Sequence, residues 1–375
     1  MNIIILSPDF SHNVYQFCLY LRNLGVHVLG IGDTAYDQLS QSLTGALTEY
    51  YKVDNLANYD EVLRAAGYFT HKYGKINRIE NINPRLFFTE AALRTDFHVP
   101  GVNLDALDLH ASYTGMKKLC RKARVNTLVS DALLSREEAA EYAKKTGYPV
   151  IAKPDSFISQ APCTILQNEE ELNAWLDKLP NYATYVLAPH TKKAYYSFDG
   201  LLDASGAPAF TAAHVSAGQS AFYSLRDIPE DLAKTAAKLL AATNAAGRFF
   251  HIRFSRNEKN KLFVEELLLF PGNGFMPDIF NFANDINVYQ EWANMVQGDQ
   301  FSSDITRKFH CAYIARSAGK DYAHKEEEIR AAYDRLLVAT FPQCGTEHQA
   351  GSSVFLARSE DQEELLALIE FLQAE

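Results

Sequence analysis

The stretch HIRFSRNEKNKLFVEELLLFPGNG, residues 251–274, places charged side chains at spacings that could support chemistry. The pattern predicts two β-strands joined by a polar turn at 257–260, with Arg253 on the first strand. The second strand carries two adjacent acids, Glu265 and Glu266. Carboxylates are hard oxygen ligands for Mg²⁺, and arginine binds phosphate groups. A hairpin of this outline can therefore hold a metal ion or a phosphate.

Because side chains alternate between the two faces of a strand, the sequence shows whether two metal ligands could share one face. Two ligands on the same face of a strand must stand at positions i and i+2. Glu266 shares its face with Leu268, and in a register shifted by one residue Glu265 would share its face with Leu267 and Leu269. Because neither register supplies a second oxygen ligand, we expect Arg253 and Glu266 to form an ion pair across the hairpin.

The N-terminal segment has the pattern of an open α/β domain. NIIIL predicts a buried strand, YQFCLYLRNL predicts a helix capped by Ser11, and VHVLGIGD predicts the next strand. The turn SPDFSHN lacks the G-x-G-x-x-G spacing of dinucleotide-binding folds. Further along, Ser135 and Glu138 predict a capping box, and YPVIAKPD predicts a buried strand that ends near Lys153.

Composition excludes several classes of function. The 375 residues are 47% hydrophobic and 22% charged, the net charge is −10 and the mean hydropathy is −0.20. An acidic chain without a concentrated basic face is not expected to bind nucleic acid. A basic amphipathic segment, an 18–20-residue apolar run and a signal-peptide pattern are all absent from the sequence. The five cysteines are widely spaced, which favours reduced thiols and a cytoplasmic location.

Three features in this order resemble the ATP-grasp superfamily: an α/β N-terminal domain, a strand ending IAKPD, and an acidic hairpin followed by FPGNG. Within the superfamily the chain is most similar to carboxylate–amine ligases and to proteins like the large subunit of carbamoyl-phosphate synthase. Residues 147–298 carry the pattern. The resemblance implies an α/β fold, with α+β lobes in its ATP-grasp part.

The resemblance also implies a division of the chain into four parts. Residues 1–108 would form a Rossmann-like N-terminal domain, and residues 109–195 the small lid subdomain. Residues 196–300 would form the central lobe, and residues 301–375 an α/β extension packed on that lobe. Enzymes of this family clamp ATP and Mg²⁺, phosphorylate a carboxylate and pass the acyl phosphate to an amine. A small-molecule carboxylate or amine substrate and a homodimer would follow.

The family's functional positions can be compared with this sequence one by one. Lys153 matches a phosphate-binding lysine, with Ser156 and Lys117 as further nucleotide contacts, and Glu266 matches a metal ligand. The remaining matched positions carry other residues: Tyr113 for a phosphate lysine, Phe157 in the glycine-rich loop, Ala188 for a ribose-binding acid, Arg253 for a metal-binding acid, Leu268 for asparagine, and Phe270 for arginine.

The segment after the hairpin offers polar side chains with two interpretations. Asn273, Asp278, Asn281 and Asp285 could line a substrate pocket, whereas Asp278 or Asn281 could equally cap the following helix. Residues His190, His214 and His251 are predicted to be hydrogen-bonded structural histidines, since no acid or cysteine at a catalytic spacing accompanies them.

Electrostatics favours one functional hypothesis over its alternative. Replacing a carboxylate by a guanidinium near a dication changes the interaction by roughly 10 kcal/mol at ~5 Å and an effective dielectric of ~20. We therefore expect a non-catalytic or nucleotide-weak relative that acts as a binding module or as the protein partner of an active ligase. The alternative is an active ATP-dependent ligase with an atypical nucleotide site.

Overall fold

The computed structural model of this protein describes residues 1–159, 161–190, 194–218, 220–344 and 352–375. Within these ranges the strands form one sheet of four strands, one of three and one of eight. Short 3₁₀ turns lie at Tyr36–Gln38, Pro84–Leu86 and Tyr182–Thr184.

The N-terminal sheet is parallel, with the strand order β3-β2-β1-β4. Its strands are β1 (Asn2–Leu6), β2 (His27–Gly32), β3 (Glu49–Lys52) and β4 (Arg78–Asn81), and its helices are α1 (Val14–Asn23), α2 (Gln41–Ala46), α3 (Tyr59–Tyr73) and α4 (Phe87–Asp96). Every residue of β1 is buried, as expected for a parallel strand covered on both faces. The prediction that Ser11 caps α1 is wrong: the helix follows Asn13, and the Ser11 hydroxyl donates to Asn13 Oδ1 instead.

Two helices connect this domain to the rest of the chain: α5 (Leu104–Ala111) and α6 (Tyr113–Ala123). Ser112 caps α6 by accepting a hydrogen bond from the Gly115 N–H at 2.9 Å. The backbones of α5 and α6 approach closely at Gly115, where an added Cβ would lie 2.2 Å from the Asp108 carbonyl oxygen. This approach fixes α6, and with it the side chain of Tyr113.

The three-stranded sheet forms a small subdomain with the order β6-β5-β7. It contains β5 (Val150–Pro154), β6 (Thr164–Leu166), β7 (Tyr185–Pro189), α7 (Arg136–Thr146) and α8 (Glu169–Leu176). The predicted capping box of α7 forms only in part: Ser135 Oγ accepts from the Glu138 N–H, but the Glu138 carboxylate accepts from the Leu134 N–H and not from the Ser135 N–H. Lys153 lies near the end of β5.

The eight-stranded sheet has the order β12-β11-β8-β9-β10-β13-β15-β14. Its strands are β8 (Tyr196–Leu202), β9 (Pro208–Ser216), β10 (Ala221–Leu225), β11 (Phe249–Arg256), β12 (Leu262–Leu268), β13 (His310–Arg316), β14 (Leu337–Cys344) and β15 (Ser352–Ser359), and the helices packed around it are α9 (Glu230–Thr243), α10 (Met276–Asn284), α11 (Val288–Gln297), α12 (Glu326–Tyr333) and α13 (Gln362–Gln373).

The C-terminal segment is continuous with this sheet. Strand β13 pairs with β10 in antiparallel register, so that Ala221 lies opposite Ile314. Strands β13, β14 and β15 therefore extend the eight-stranded sheet through main-chain hydrogen bonds.

The two faces of the sheet near β8 and β11 differ in chemistry. Phe198, Phe250 and Ile252 belong to the core cluster that also contains the buried side chains of α6 and α9. Alternation along the strands turns Asp199 and Arg253 to the opposite face. One face thus packs on that core cluster, and the other carries the polar side chains described below together with Leu201 and Phe249, which belong to a second core cluster.

We predict that Gly115→Ala destabilises the protein, because its Cβ would overlap backbone atoms that cannot rotate away. The expected loss is about 1–3 kcal/mol in the free energy of unfolding, measured by urea denaturation. The matched control is Gly67→Ala in the middle of α3, where an added Cβ meets nothing within 4 Å. That change should stabilise the protein by about 0.5–1 kcal/mol, and equal effects of the two substitutions would contradict the packing of α5 on α6.

Candidate functional site

The polar face is built by pairing of β11 with β8 on one side and with β12 on the other. His251 lies opposite Asp199 of β8 and opposite Leu268 of β12. Arg253 lies opposite Glu266. The i, i+2 spacing on β11 and on β12 therefore brings these side chains to a single face.

A bulge in β12 decides which of the two acids reaches this face. Arg253 pairs with Glu266, but Phe254 pairs with Val264, so Glu265 is the additional residue. Glu265 is 4% exposed, and its carboxylate accepts a 2.5 Å hydrogen bond from the Ser255 hydroxyl. The second acid is thus bound to Ser255, which stands two residues after Arg253 on β11.

Arg253 and Glu266 form the predicted ion pair, with 3.0 Å between the Arg253 Nη2 and Glu266 Oε2 atoms. The two side chains are 35% and 18% exposed. Burial alone would raise the pKa of Glu266, but Arg253, His251 and Lys153 hold that pKa below its usual value. Glu266 is therefore a carboxylate that its own chain already neutralises.

Apolar side chains occupy positions 268 and 270 after Glu266. Leu268 extends along the face beyond Glu266. Phe270 is 3% exposed, and its ring packs edge-on against Phe87 with 4.8 Å between centroids. The guanidinium of Arg248 lies 5.1 Å from the Phe270 ring centroid. Phe270 is therefore a core residue.

Lys153 projects from the small subdomain and is 7% exposed. Its Nζ lies 4.9 Å from the centroid of the Tyr113 ring, which itself packs edge-on against Phe157 at 4.5 Å. Among the described residues, Lys153 Nζ has no hydrogen bond and no ion pair. Burial first, and then the charge of Arg253, lower the pKa of Lys153, while Glu266 opposes the shift.

The loop after Lys153 uses its backbone donors internally. The Phe157 N–H donates to the Ala111 carbonyl at 2.8 Å. The Ile158 and Ser159 N–H groups donate to the hydroxyl and carbonyl of Ser156, at 3.4 and 3.2 Å. A loop that cradles a phosphate must direct such groups at the ligand, and these three groups already have acceptors.

Two other sequence-predicted positions have structural partners. Lys117 on α6 forms an ion pair with Asp131 at 3.0 Å. Ala188 on β7 is fully buried and lies opposite Ile151 of β5. The ammonium of Lys117 is thus neutralised outside the polar face, and β7 offers no carboxylate at position 188.

Asp199 on β8 contacts two histidines on neighbouring strands, His214 on β9 and His251 on β11. Its carboxylate, fully buried, lies 2.6 Å from His251 Nδ1 and 2.8 Å from His214 Nδ1. The Ser197 hydroxyl donates to it at 2.5 Å. A carboxylate only accepts, so both Nδ1 atoms carry the proton. Burial alone would raise the pKa of Asp199, but His251 and His214 hold it well below its ordinary range.

Sequence reasoning missed this cluster for a specific reason. His251 stands two residues before Arg253, and Asp199 two residues after Ser197, so alternation indicates a shared face within each strand. The pairing of β8 with β11 brings the two strands together, and a single sequence does not reveal it. The prediction that His214 and His251 are hydrogen-bonded histidines is confirmed.

The proposed substrate-pocket residues make local contacts in the structure. Asn273 Oδ1 accepts from the Phe275 N–H at 2.8 Å, ahead of α10. Asn281 Oδ1 accepts from the Val288 N–H at 2.7 Å, so it helps to start α11. Asp285 lies 2.5 Å from Arg358 Nη1. These contacts agree with the structural interpretation that the sequence left open.

Asp278 connects the N-terminal domain to α10. Its carboxylate lies 2.9 Å from His12 Nε2 and accepts a 2.9 Å hydrogen bond from the Asn13 amide. The Tyr289 hydroxyl donates to it at 2.6 Å. The Asp278 carboxylate, in the first turn of α10, is therefore in contact with three side chains.

Comparison with known proteins supports the fold of this chain. No family model matches the sequence. Among solved structures, the L-amino acid ligase from Bacillus licheniformis is similar over 99% of this chain and 96% of its own, with 12% identity and a TM-score of 0.75. The ADP complex of an N5-carboxyaminoimidazole ribonucleotide synthetase matches with 12% identity and a TM-score of 0.73, covering 99% of this chain and 96% of its own.

A third structure is the biotin carboxylase domain dimer of Hydrogenobacter thermophilus 2-oxoglutarate carboxylase, in complex with Mg-ADP, ADP and bicarbonate. It matches with 14% identity and a TM-score of 0.68, over 96% of this chain and 86% of its own. This chain has the ATP-grasp fold. The predicted fold class is therefore confirmed across nearly the whole chain.

Within the described ranges, no group of three or more His, Cys, Asp and Glu side chains could hold a metal ion. No helix in the same ranges has both the length and the apolar composition that a membrane span requires.

We predict measurable coupling between Arg253 and Glu266. Arg253→Met leaves the largely buried carboxylate of Glu266 without its cation. We expect the free energy of unfolding to fall by about 1–3 kcal/mol. Solvent screening reduces this loss, because the Arg253 side chain is 35% exposed. Combined with Glu266→Gln, the double variant should lose less than the two single changes added together. A cycle on the exposed pair Glu230–Lys234 is the control, with coupling of about 0.5 kcal/mol or less. Equal coupling in both cycles would contradict the importance of burial.

We predict a specific acid dependence for Asp199. Its pKa is lowered in the folded protein, so its stabilising contribution is complete above the unfolded-state pKa of about 3.9 and is lost as the pH falls toward the folded value. The stability difference between wild type and Asp199→Asn, measured by urea unfolding, should therefore shrink below about pH 4. Asp54→Asn, at a side chain 91% exposed, is the control. A difference that stays constant down to pH 2 would argue against ionised Asp199 as the centre of the cluster.

Proposed function

We propose that this protein is a non-catalytic ATP-grasp-fold protein that acts as a binding module or as the partner of an active ligase. The observation that carries the proposal is the 3.0 Å ion pair between Arg253 and Glu266, at positions where the family resemblance places two magnesium ligands. A guanidinium in contact with a carboxylate satisfies that carboxylate without a metal.

The residues on the polar face do not fit Mg²⁺. Magnesium requires several oxygen ligands near octahedral geometry. Glu266 is paired, Glu265 is turned to Ser255, and Leu268 offers hydrocarbon where an oxygen is needed. A dication would also meet the positive charge of Arg253, with a repulsion of several kcal/mol at ~5 Å and an effective dielectric of ~20.

The residues at the positions that the family resemblance assigns to phosphate binding support the non-catalytic proposal independently. Tyr113 supplies an aromatic face where the family resemblance places a lysine. The N–H groups of Phe157, Ile158 and Ser159 already have acceptors within the chain. Binding a triphosphate here would require breaking these hydrogen bonds without the compensation that a metal ion provides.

The alternative function is an active ATP-dependent carboxylate–amine ligase with an atypical site. Lys153 and Glu266 favour it, because both match family positions and the charge of Lys153 helps to lower the pKa of Glu266. The L-amino acid ligase from Bacillus licheniformis shares the fold over nearly its whole length, which agrees with either function. A small-molecule carboxylate or amine would then be the substrate.

We predict that calorimetric titration separates the two functions. The purified full-length chain should show no magnesium-dependent binding of ATP or ADP, because Arg253 occupies the cation position. Micromolar binding of Mg-ATP that is lost when the metal is chelated would overturn the non-catalytic proposal. Silence at about millimolar nucleotide would exclude the ligase.

A rescue variant tests the assignment of the metal positions. Arg253→Glu combined with Leu268→Asn restores two oxygen side chains beside Glu266 and should make nucleotide binding magnesium-dependent. Phe270 is left unchanged, since it is buried against Phe87 and an arginine there would disrupt the core. The matched control is Arg256→Glu, on the same strand but paired with Asp231 outside the polar face. Equal behaviour of the two variants would show that the hairpin positions are misassigned.

A further inference from the structure

A second polar cavity lies on the half of the eight-stranded sheet that holds β10 and β13. Its walls come from the end of β10, from the segment before β13 and from the start of α13. Among its lining residues are Arg226, Asp227, Arg307 and Gln362. The cavity volume is about 360 Å³, within the range of roughly 300–1,000 Å³ that is common for small-molecule sites. Its charged lining favours a charged ligand.

Arg226 is positioned by two main-chain carbonyl groups at this cavity. Its Nε donates to the Arg307 carbonyl and its Nη1 donates to the Glu360 carbonyl, both at 3.1 Å. Within the described residues its Nη2 makes no hydrogen bond and its guanidinium makes no ion pair. The side chain is therefore oriented by the fold, while its charge and some of its N–H donors remain unused.

Arg307 is held in an unusual backbone conformation beside Arg226. Its φ of 45° lies in the left-handed region, which residues other than glycine seldom adopt and which recurs at ligand sites. The Arg307 N–H donates to Asn284 Oδ1 at 3.0 Å, and its Nη2 donates to the Thr211 carbonyl at 3.1 Å. Among the described residues its Nη1 has no hydrogen bond, and its Nε is buried without an acceptor. A second guanidinium thus has unused N–H donors at the same cavity.

Positive charge is in excess among the side chains of this lining. Asp227 is the acidic side chain that faces the two arginines across the cavity, and it forms no ion pair with either of them. Gln362 donates one amide N–H to the Tyr223 hydroxyl at 3.0 Å, and its amide carries a second N–H. The cavity therefore combines two cationic groups and an amide with one carboxylate.

We infer that this cavity binds a small molecule through an oxyanion group, a carboxylate or a phosphate, held by the guanidinium groups of Arg226 and Arg307. A guanidinium presents its N–H donors in a planar fork that matches the oxygens of either group. Such a ligand supplies both the acceptors and the negative charge that the lining lacks. The inference goes beyond the proposed function and does not depend on it, because the lining residues lie outside the hairpin of β11 and β12.

The test is a calorimetric titration of the full-length chain with sodium succinate and, separately, with sodium phosphate, at constant ionic strength. Arg226→Gln and Arg307→Asn should each weaken binding by at least about tenfold, since hydrogen bonds from a charged group are lost. Asparagine suits position 307 because it tolerates the left-handed backbone. Arg64→Gln, at an exposed arginine on α3, is the matched control and should leave binding unchanged. Tighter binding of succinate would identify a carboxylate ligand, and tighter binding of phosphate a phosphorylated one.

A variant of the acid predicts a change in the opposite direction. Asp227→Asn removes a negative charge from the cavity, so the anion should bind at least about twofold more tightly than to wild type. Thermal unfolding gives an independent readout, because the ligand should raise the Tm of wild type and of Arg64→Gln but not that of Arg307→Asn.

Three outcomes would overturn the inference. Absence of heat up to about 20 mM succinate and phosphate would exclude an oxyanion site of useful affinity. Equal affinity in wild type, Arg226→Gln and Arg307→Asn would place the anion elsewhere. Weakening by Arg64→Gln to the same extent would show a general effect of net charge. Each of these results leaves the magnesium-nucleotide titration, and with it the proposed function, unaffected.

Discussion

The ion pair between Arg253 and Glu266 depends on the register of two strands. The bulge in β12 sets Glu266 opposite Arg253 and displaces Glu265 toward Ser255. Without the extra residue, the neighbouring acid would stand at the paired position, and the charges on this face would be arranged differently. One residue of register therefore decides which of the two acids stands opposite Arg253.

Asp199, on the same polar face, also has its charge balanced by side chains of the protein itself. Asp199 is buried with no exposed surface, and two histidines and Ser197 satisfy its oxygens. Buried polar groups are most stable when they are hydrogen-bonded, and the oxygens of Asp199 receive their hydrogen bonds from the protein's own side chains. Within the described residues, His214 Nε2 and Arg253 Nε are buried without a hydrogen bond, so the compensation on this face is incomplete.

The similarity of this chain to solved ligase structures concerns the fold. Solved ligase structures match this chain over nearly its whole length at 12–14% identity. Arg253 and Leu268 are not among the buried residues of the core cluster that contains Ile252, Leu267 and Leu269. A fold of this kind can therefore persist while the chemistry of its cleft changes.

The sequence by itself determined the element types, the fold class and the charge partner of Arg253. Apolar periodicity and capping residues mark helices and strands locally, and the i, i+2 rule places Glu266 and Leu268 on one face. The sequence was less reliable for the first residues of an element. It predicted Ser11 as the cap of α1, whereas the residue before that helix is Asn13.

Only the tertiary structure decided the partners of Asp199, the internal hydrogen bonds of the loop after Lys153 and the continuity of β10 with β13. These contacts join residues that are far apart in the chain or that depend on a strand order no local pattern encodes. The physical reason is that side-chain periodicity is a property of one strand, whereas burial and charge compensation are properties of the strands and helices packed together.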